Sequence, residues 1–566
     1  MPRIGRMAAG SVVGAAVVAL LAPHLKQFFS APDGGVGVLT VHGYPKGWDY
    51  FVVAALVVCA FGGALVSGVR DQVSGTFRPG DTPRTTATRY RITIALALFV
   101  FVSMLFIHDN PFVHMDPFHE GEHLTPAWLF LNGERPYGEV FLLHGLGVDG
   151  GLDALVGGRL PHTRRLQTFL DAAALALLVP IAAELTVTTA GLVAAVLLPL
   201  CGIAAFWIPV FPYFRLAPLL LAVWAMLRYA RVRQPHMLLV AYLSASLGVL
   251  WSLDVGTYAL GGVAAATLIL RPPWRRVLLF GAIAAAAPLV ILLAVRADVR
   301  QFFVDSYVIV PSAIDAVWAL PAPEPFTANG LRYYVPPVFY GFLLALAVKR
   351  RDPRIAIVAI FSILLFRTAA GRVSWSHTRF AVPLLGVAFV AFVLEPLRSR
   401  IAVAVLAIAS VFYFEVPQNL GAGAKLASQW AARQRHDGLV PHPLARGIYT
   451  TEDNATQLAT LKQYVDSLGP GTIFDFSNER ALYMMLKRKP AARCFDVPML
   501  SAPALLAETM TALRKEPPVA VILGGDPVIA VFDGVPNPQR VPRLAAWIDA
   551  HYPKRTEIGR FTVATR

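Results

Sequence analysis

The chain has 566 residues, of which 56% are hydrophobic and only 15% charged, and its mean hydropathy is +0.57. A soluble domain carries more charge than this, so lipid must cover part of the apolar surface. The formal net charge of +15 would point a soluble protein toward nucleic acid. Here the basic residues sit mostly in short loops between apolar runs, which is the positive-inside arrangement of a membrane protein, and no nucleic-acid partner is expected.

Apolar runs of spanning length begin near residues 7, 49, 91, 166, 188, 213, 237, 255, 276, 335, 354, 380 and 401. They predict an α-helical polytopic membrane protein with about thirteen transmembrane helices. The first run, Met7 to about Pro23, follows Arg3 and Arg6; its small-residue cleavage pattern is poor, so it reads as a retained helix. Basic clusters alternate along the chain: Arg70, Arg78, Arg84, Arg89 and Arg91; Arg228, Arg231 and Arg233; Arg271, Arg275 and Arg276; Lys349, Arg350, Arg351 and Arg354; Arg398 and Arg400. Placing them in the cytoplasm, with the N-terminus, makes every intervening loop external. Cys59, Cys201 and Cys494 show no metal-type spacing, and no disulfide is expected.

Residues 1–414 then form a membrane domain with external loops at about 108–165 and 297–335, and residues 415–566 form an external tail. The first loop holds four carboxylates (Asp109, Asp116, Glu120, Glu122) and four histidines (His108, His114, His119, His123) within sixteen residues, followed by Tyr137, Glu139 and His144. Charge of this density beside hydrocarbon is costly unless it is solvated or used. A partly desolvated carboxylate there suits a general base, whereas a wet loop anchoring a helix end accounts for the same composition without function. His119-Glu120-Gly121-Glu122-His123 also has the zincin spacing, which leaves a divalent metal on His119, Glu120 and His123 open. That motif needs a helix, and Gly121, Pro117 and Pro126 argue against a long one.

Farther along, Trp251-Ser-Leu-Asp254-Val-Gly256-Thr-Tyr258 joins two spans with almost no loop. Asp254 there is either a functional acid or a helix cap. The second external loop, with Asp298, Arg300, Asp305, Tyr307 and Arg332, is a lid candidate. Arg367, Arg372, His377 and Arg379 fall in an external hairpin and break the positive-inside bias. Their planar donor forks suit a lipid phosphate, the bland reading being arginines that snorkel to ordinary headgroups. In the tail, 471–477 and 519–525 read as strands and stretches near 453–467, 478–487 and 502–515 as helices, a small α/β unit without a Walker A or GxGxxG motif.

These residues together resemble the GT-C superfamily of membrane glycosyltransferases. The resemblance rests on Asp116-Pro-Phe-His-Glu-Gly-Glu122 with Pro136-Tyr137 and His144-Gly145, on Ser252-Leu-Asp254-Val-Gly256, on Gly371-Arg372 with His377, and on Phe474-Asp475-Phe-Ser-Asn478-Glu-Arg-Ala-Leu-Tyr483. One departure is that two extra apparent spans come before the acidic loop. The resemblance implies an inverting enzyme of a bacterial cytoplasmic (inner) membrane, with its tail outside. Its donor would be a polyprenyl-phosphate-linked sugar, hexose or pentose. Its acceptor would be a cell-envelope glycan, lipid or protein, with arabinosyl or mannosyl transfer in cell-wall biogenesis as examples. Asp116 is then the expected catalytic base, with Glu122 and Glu120 in reserve. Arg372, Arg367, His377, Arg379, Asp254, His144 and Tyr137 are the expected donor-phosphate and substrate residues. No cofactor is certain, a divalent metal remaining open. A transporter or lipid flippase, and a membrane zinc metalloprotease, are the alternatives.

Overall fold

The computed structural model of the chain describes residues 2–67, 87–108, 113–203, 212–381, 383–397, 399–414, 421, 436 and 438–566. Arg70, Arg78, Arg84, Asp109 and Arg398 lie outside the described residues, as does the expected start of the tail at 415. Among the described residues eight helices are long and apolar enough to cross a membrane: Ile4–Phe28, Lys46–Ser67, Ala87–Leu105, Leu160–Leu185, Leu253–Leu270, Trp274–Ala294, Ala328–Arg350 and Pro353–Gly371. The other apolar runs form shorter helices, namely Thr189–Cys201, Pro235–Trp251, Pro383–Leu394 and Arg400–Val411, with Ala217–Val232 between them. The expected thirteen runs are therefore all helical, but five of them are shorter than a full crossing. Pro199, Pro218 and Pro383 sit in or at the start of three of these, where a missing N–H and a fixed φ limit helix length.

Two kinds of surface follow from the sequence. Trp274–Ala294 buries little of itself, and Leu278, Leu279, Val290 and Leu293 are exposed, as lipid-facing residues should be. Inside the bundle, the hairpin Pro235–Trp251 to Leu253–Leu270 closes tightly because Gly256 lies against Gly248: a Cβ on Gly256 would fall 2.1 Å from the Gly248 carbonyl carbon. At one end of the bundle, Arg228 and Arg231 reach Glu184 at 3.1 and 3.2 Å, and Arg354 reaches Asp352 at 2.8 Å. Three helices end there on an arginine in the left-handed region, Arg233, Arg271 and Arg351, which puts positive charge at helix C-termini.

The opposite end carries the two large loops and the tail. The motif His119 to His123 opens a helix, His119–Leu131, despite Gly121 and Pro126. Gly121, Pro117 and Pro126 argue against a long helix here, and the helix runs for 13 residues. Tertiary contact overrides the local propensity: Gly121 lets the tail come within touching distance, a Cβ there falling 2.4 Å from the Ala481 amide nitrogen. Ala481 N–H donates to the Pro117 carbonyl at 3.0 Å, and the Thr125 hydroxyl to the Arg480 carbonyl at 2.8 Å. The second loop forms a run of helix from Val299–Val304 through a wider turn at Asp305–Ile309 to Val310–Trp318.

The tail is the expected α/β unit. Its four-stranded sheet has the order Ile473–Asp475, Ala520–Ile522, Phe561–Thr565, Lys554–Ile558. The first pair is parallel and the other two are antiparallel. Helices Glu452–Ser467, Ala481–Leu486 and Pro503–Lys515 stand where the sequence placed them. The C-terminal hairpin strands and the helix Pro542–His551 were not anticipated. Arg493 ties the sheet domain to the second loop, at 2.5 Å from Asp305.

Gly121→Ala should weaken tail docking by about 1–3 kcal/mol, since its methyl meets backbone rather than a flexible side chain. Limited proteolysis of the tail in detergent-solubilised protein checks this, and unchanged protection contradicts it. A second expectation concerns Asp475, which is fully buried and has one carboxylate oxygen without a hydrogen-bond partner. Burial pushes its carboxyl up from 3.8 to about 7. The folded state therefore holds this proton more tightly than the unfolded state does. Tail stability should fall as pH rises from 3.8 to about 7 and level off above. Thermal melts should show that slope flattened in Asp475→Asn.

Candidate active site

A cavity of about 650 Å³ opens at the end of the bundle covered by the loops and tail. Its wall is largely apolar, built from Phe118, Leu253, Val310, Ile314, Trp318 and Phe532, with titratable groups converging on it from seven stretches of chain. The helix His119–Leu131 supplies His119 and Glu122, and the turn before Gly147 supplies His144. Arg215 precedes Ala217–Val232, and Asp254 lies in the first turn of Leu253–Leu270. Asp315 comes from the second loop; Arg367 lies in the last turns of Pro353–Gly371, and Arg372 and His377 follow that helix; Asp533 comes from the tail.

Each carboxylate has a charged neighbour. Arg215 is 1% exposed and donates to both oxygens of Asp254 at 2.8 and 2.9 Å, with Ser252 on the same group. Arg367 reaches Asp315 at 3.1 Å, and Tyr50 donates to the same oxygen at 2.7 Å. Arg372 holds Asp533 through two parallel bonds of 2.7 Å. Glu122 pairs with Arg480 of the tail, whose guanidinium also reaches Asp496 at 3.0 Å and lies 4.2 Å over the Phe118 ring. Burial pushes the Glu122 carboxyl up, but Arg480, with His144 and His119, outweighs it and holds the carboxyl below the ordinary range. Glu122 is thus an anion facing a largely apolar space.

The histidines divide. Burial would lower His144, yet Asp149, 3.1 Å from Nδ1, raises it overall. His377 is pushed well below the ordinary histidine range by burial and by Arg372 and Arg215, so it is a neutral ring; its Nδ1 lies 2.6 Å from the Ser374 hydroxyl.

Of the residues expected from sequence, Glu122, His144, Asp254, Arg367, Arg372 and His377 line the cavity, as does His119. Asp116 does not. It accepts the N–H groups of Phe118 and His119 at 3.0 and 2.9 Å and sits 2.7 Å from His119 Nδ1, so it caps the chain entering the helix and orients a cavity histidine. Burial pushes its carboxyl up, and the bonds from His119 and Phe118 bring it below the ordinary value. Glu120 is withdrawn: both its oxygens are taken by Arg164, at 2.6 and 2.8 Å, in a buried pair. Tyr137 is fully buried on the Phe302 ring at 5.0 Å, a turn residue with φ +62 rather than a ligand contact. Arg379 is buried and does not line the cavity. Of the zincin spacing, Glu120 is taken up by Arg164, while His119 Nδ1 faces Asp116 and His123 Nδ1 faces Asp153, each at 2.7 Å. Among the described residues no group of three or more metal-ligating side chains is placed to hold a metal ion.

Sequence reasoning missed Arg215, Asp315, Arg480, Phe532 and Asp533. Arg215 had a usable signal, a lone arginine between apolar runs. Asp315 had a weaker one, a single acid within Val310–Trp318. Arg480 lies in the Phe474–Tyr483 segment that carried part of the resemblance, but nothing local marks its pairing with Glu122 or the role of Asp533, because both arise from docking of the tail.

No family model matches the chain, and no curated protein matches it. Among solved structures, the crystal structure of ArnT from Cupriavidus metallidurans in the apo state is similar at 14% sequence identity, over 84% of this chain and 98% of that one. The TM-score of 0.44 is too low for the likeness to carry an argument.

Proposed function

We propose that the chain is an inverting membrane glycosyltransferase of GT-C type that moves a sugar from a polyprenyl-phosphate donor to an acceptor hydroxyl outside the cytoplasmic membrane. The observation that carries this reading is the convergence of an ionised Glu122 and three guanidinium groups, Arg215, Arg367 and Arg372, on one apolar-walled cavity where the membrane helices meet the loops and tail. The apolar wall suits a lipid-linked substrate, and the charges suit phosphate and proton transfer.

The chemistry follows from the charges. Glu122 accepts the proton of the acceptor hydroxyl, whose oxygen attacks the anomeric carbon from the face opposite the phosphate. The bond from that carbon to the phosphate oxygen breaks, and its electron pair stays on the lipid phosphate. The phosphate gains one negative charge as it leaves, so a fixed guanidinium beside it is worth more in the transition state than before. Arg372 is assigned to that phosphate, because its forked donors face the cavity and its present carboxylate partner comes from the tail rather than from the bundle. Arg215 and Arg367 shape the donor pocket with Asp254 and Asp315. Asp116 orients His119 and is reassigned from base to positioning residue. A transporter would place its charges at mid-membrane on broken helices. Here Asp254 and Gly371-Arg372 stand at helix ends instead.

Glu122→Gln should lower sugar transfer by about 10²–10⁴-fold while leaving binding of a polyprenyl phosphate intact. Asp116→Asn, acting through His119, should cost no more than about tenfold. Transfer from a radiolabelled polyprenyl-phosphoryl sugar by purified variants measures both. Full activity in Glu122→Gln together with loss in Asp116→Asn would return the base to Asp116 and overturn this assignment.

A further inference from the structure

The tail segment Asp526–Gly534 is built unlike the rest of its domain. None of its residues is buried, and Val528 and Val531 are exposed. It is tied to its own domain by a few polar bonds. Asp526 N–H donates to Glu479 at 2.7 Å, the Asn478 amide to the Ile529 carbonyl at 3.0 Å, and Arg540 to the Phe532 carbonyl at 2.5 Å. Its apolar and ionic contacts run the other way, across the cavity. Phe532 stacks on Phe118 with ring centroids 4.7 Å apart and meets Trp318 edge-on at 5.4 Å. Asp533, held at φ +56, puts both carboxylate oxygens on the Arg372 guanidinium.

A carboxylate gripped by both arms of a guanidinium occupies the same donor fork that a phosphate would use. The two anions cannot share it, since like charges that close in a low-dielectric cavity repel strongly. We infer that Asp526–Gly534 is a lid whose Asp533 serves as a stand-in anion on Arg372, and that a phosphate-bearing ligand must displace it to reach the cavity. This inference rests on the donor-phosphate role proposed for Arg372. It makes the tail part of the donor site, because lid and phosphate compete for one guanidinium. The apparent affinity for the phosphate is then reduced by the fraction of molecules with the lid closed.

The test uses the full chain in nanodiscs of zwitterionic lipid, with a polyprenyl monophosphate as the probe and inorganic phosphate as its competitor. Asp533→Asn is the informative variant: asparagine tolerates the left-handed backbone and keeps the shape, but removes the charge. It should bind the lipid phosphate about fivefold or more tightly, with inorganic phosphate competing at correspondingly lower concentration. Phe532→Ala, which removes the stacking, should shift binding the same way. Amide exchange across residues 526–534 of the unaltered chain should rise when the lipid phosphate is added. Unchanged or weaker binding in Asp533→Asn, with binding lost in Arg372→Gln, overturns the lid and leaves the phosphate site standing. Native-like binding in Arg372→Gln overturns the phosphate site itself. A gain seen with the lipid but not with inorganic phosphate places the effect on the hydrocarbon chain and also overturns the lid.

Discussion

A buried guanidinium ties the tail to the acidic first loop. Arg480 is 2% exposed, and it reaches from the tail to Glu122 of the first loop and to Asp496 of its own domain, with the Phe118 ring beneath it. Removing one member of such a set leaves a desolvated charge behind, which is far costlier than losing a surface pair. The arrangement fixes the rotation of the helix His119–Leu131, so that Glu122 faces the cavity while Glu120 turns inward to Arg164. It also fixes where the tail sits, and hence which tail residues overhang the hairpin bearing Arg372.

Arg215–Asp254 and Arg367–Asp315 are formed within the bundle and its loops, so they shape the site whatever the tail does. Arg372–Asp533 bridges bundle and tail. Of the three guanidinium groups, Arg372 is the one whose partner can change without repacking membrane helices. An apolar wall strengthens every such pair relative to water, so exchanging one anion for another at Arg372 is a large local event from a small movement.

Much of the fold was readable in the chain. Apolar length located the thirteen helical runs, and turn residues with β-rich stretches located two of the four sheet strands and three tail helices. The hairpin strands Lys554–Ile558 and Phe561–Thr565 were hidden because the first, on an exposed sheet edge, is charged or polar at four of its five positions and carries no apolar alternation. In the site, the acidic loop and the Arg367–Arg372 hairpin were legible because charge beside hydrocarbon is rare. Which acid faces the cavity was not legible. Asp116, Glu120 and Glu122 are equivalent by composition, and only helical phase and the Arg164 and Arg480 partners separate them. Helix formation through Gly121 was likewise decided by Ala481, over 300 residues away in sequence.

The proposed chemistry requires Glu122 and Arg372 to face one bound lipid phosphate across a shared cavity. A cryo-electron microscopy structure of the full chain in nanodiscs with a polyprenyl monophosphate would locate that phosphate. Density is expected within hydrogen-bonding distance of the Arg372 guanidinium, with Glu122 on the opposite wall and Asp533 moved off. Phosphate density outside this cavity, or bound in it away from Arg372, would overturn the proposal.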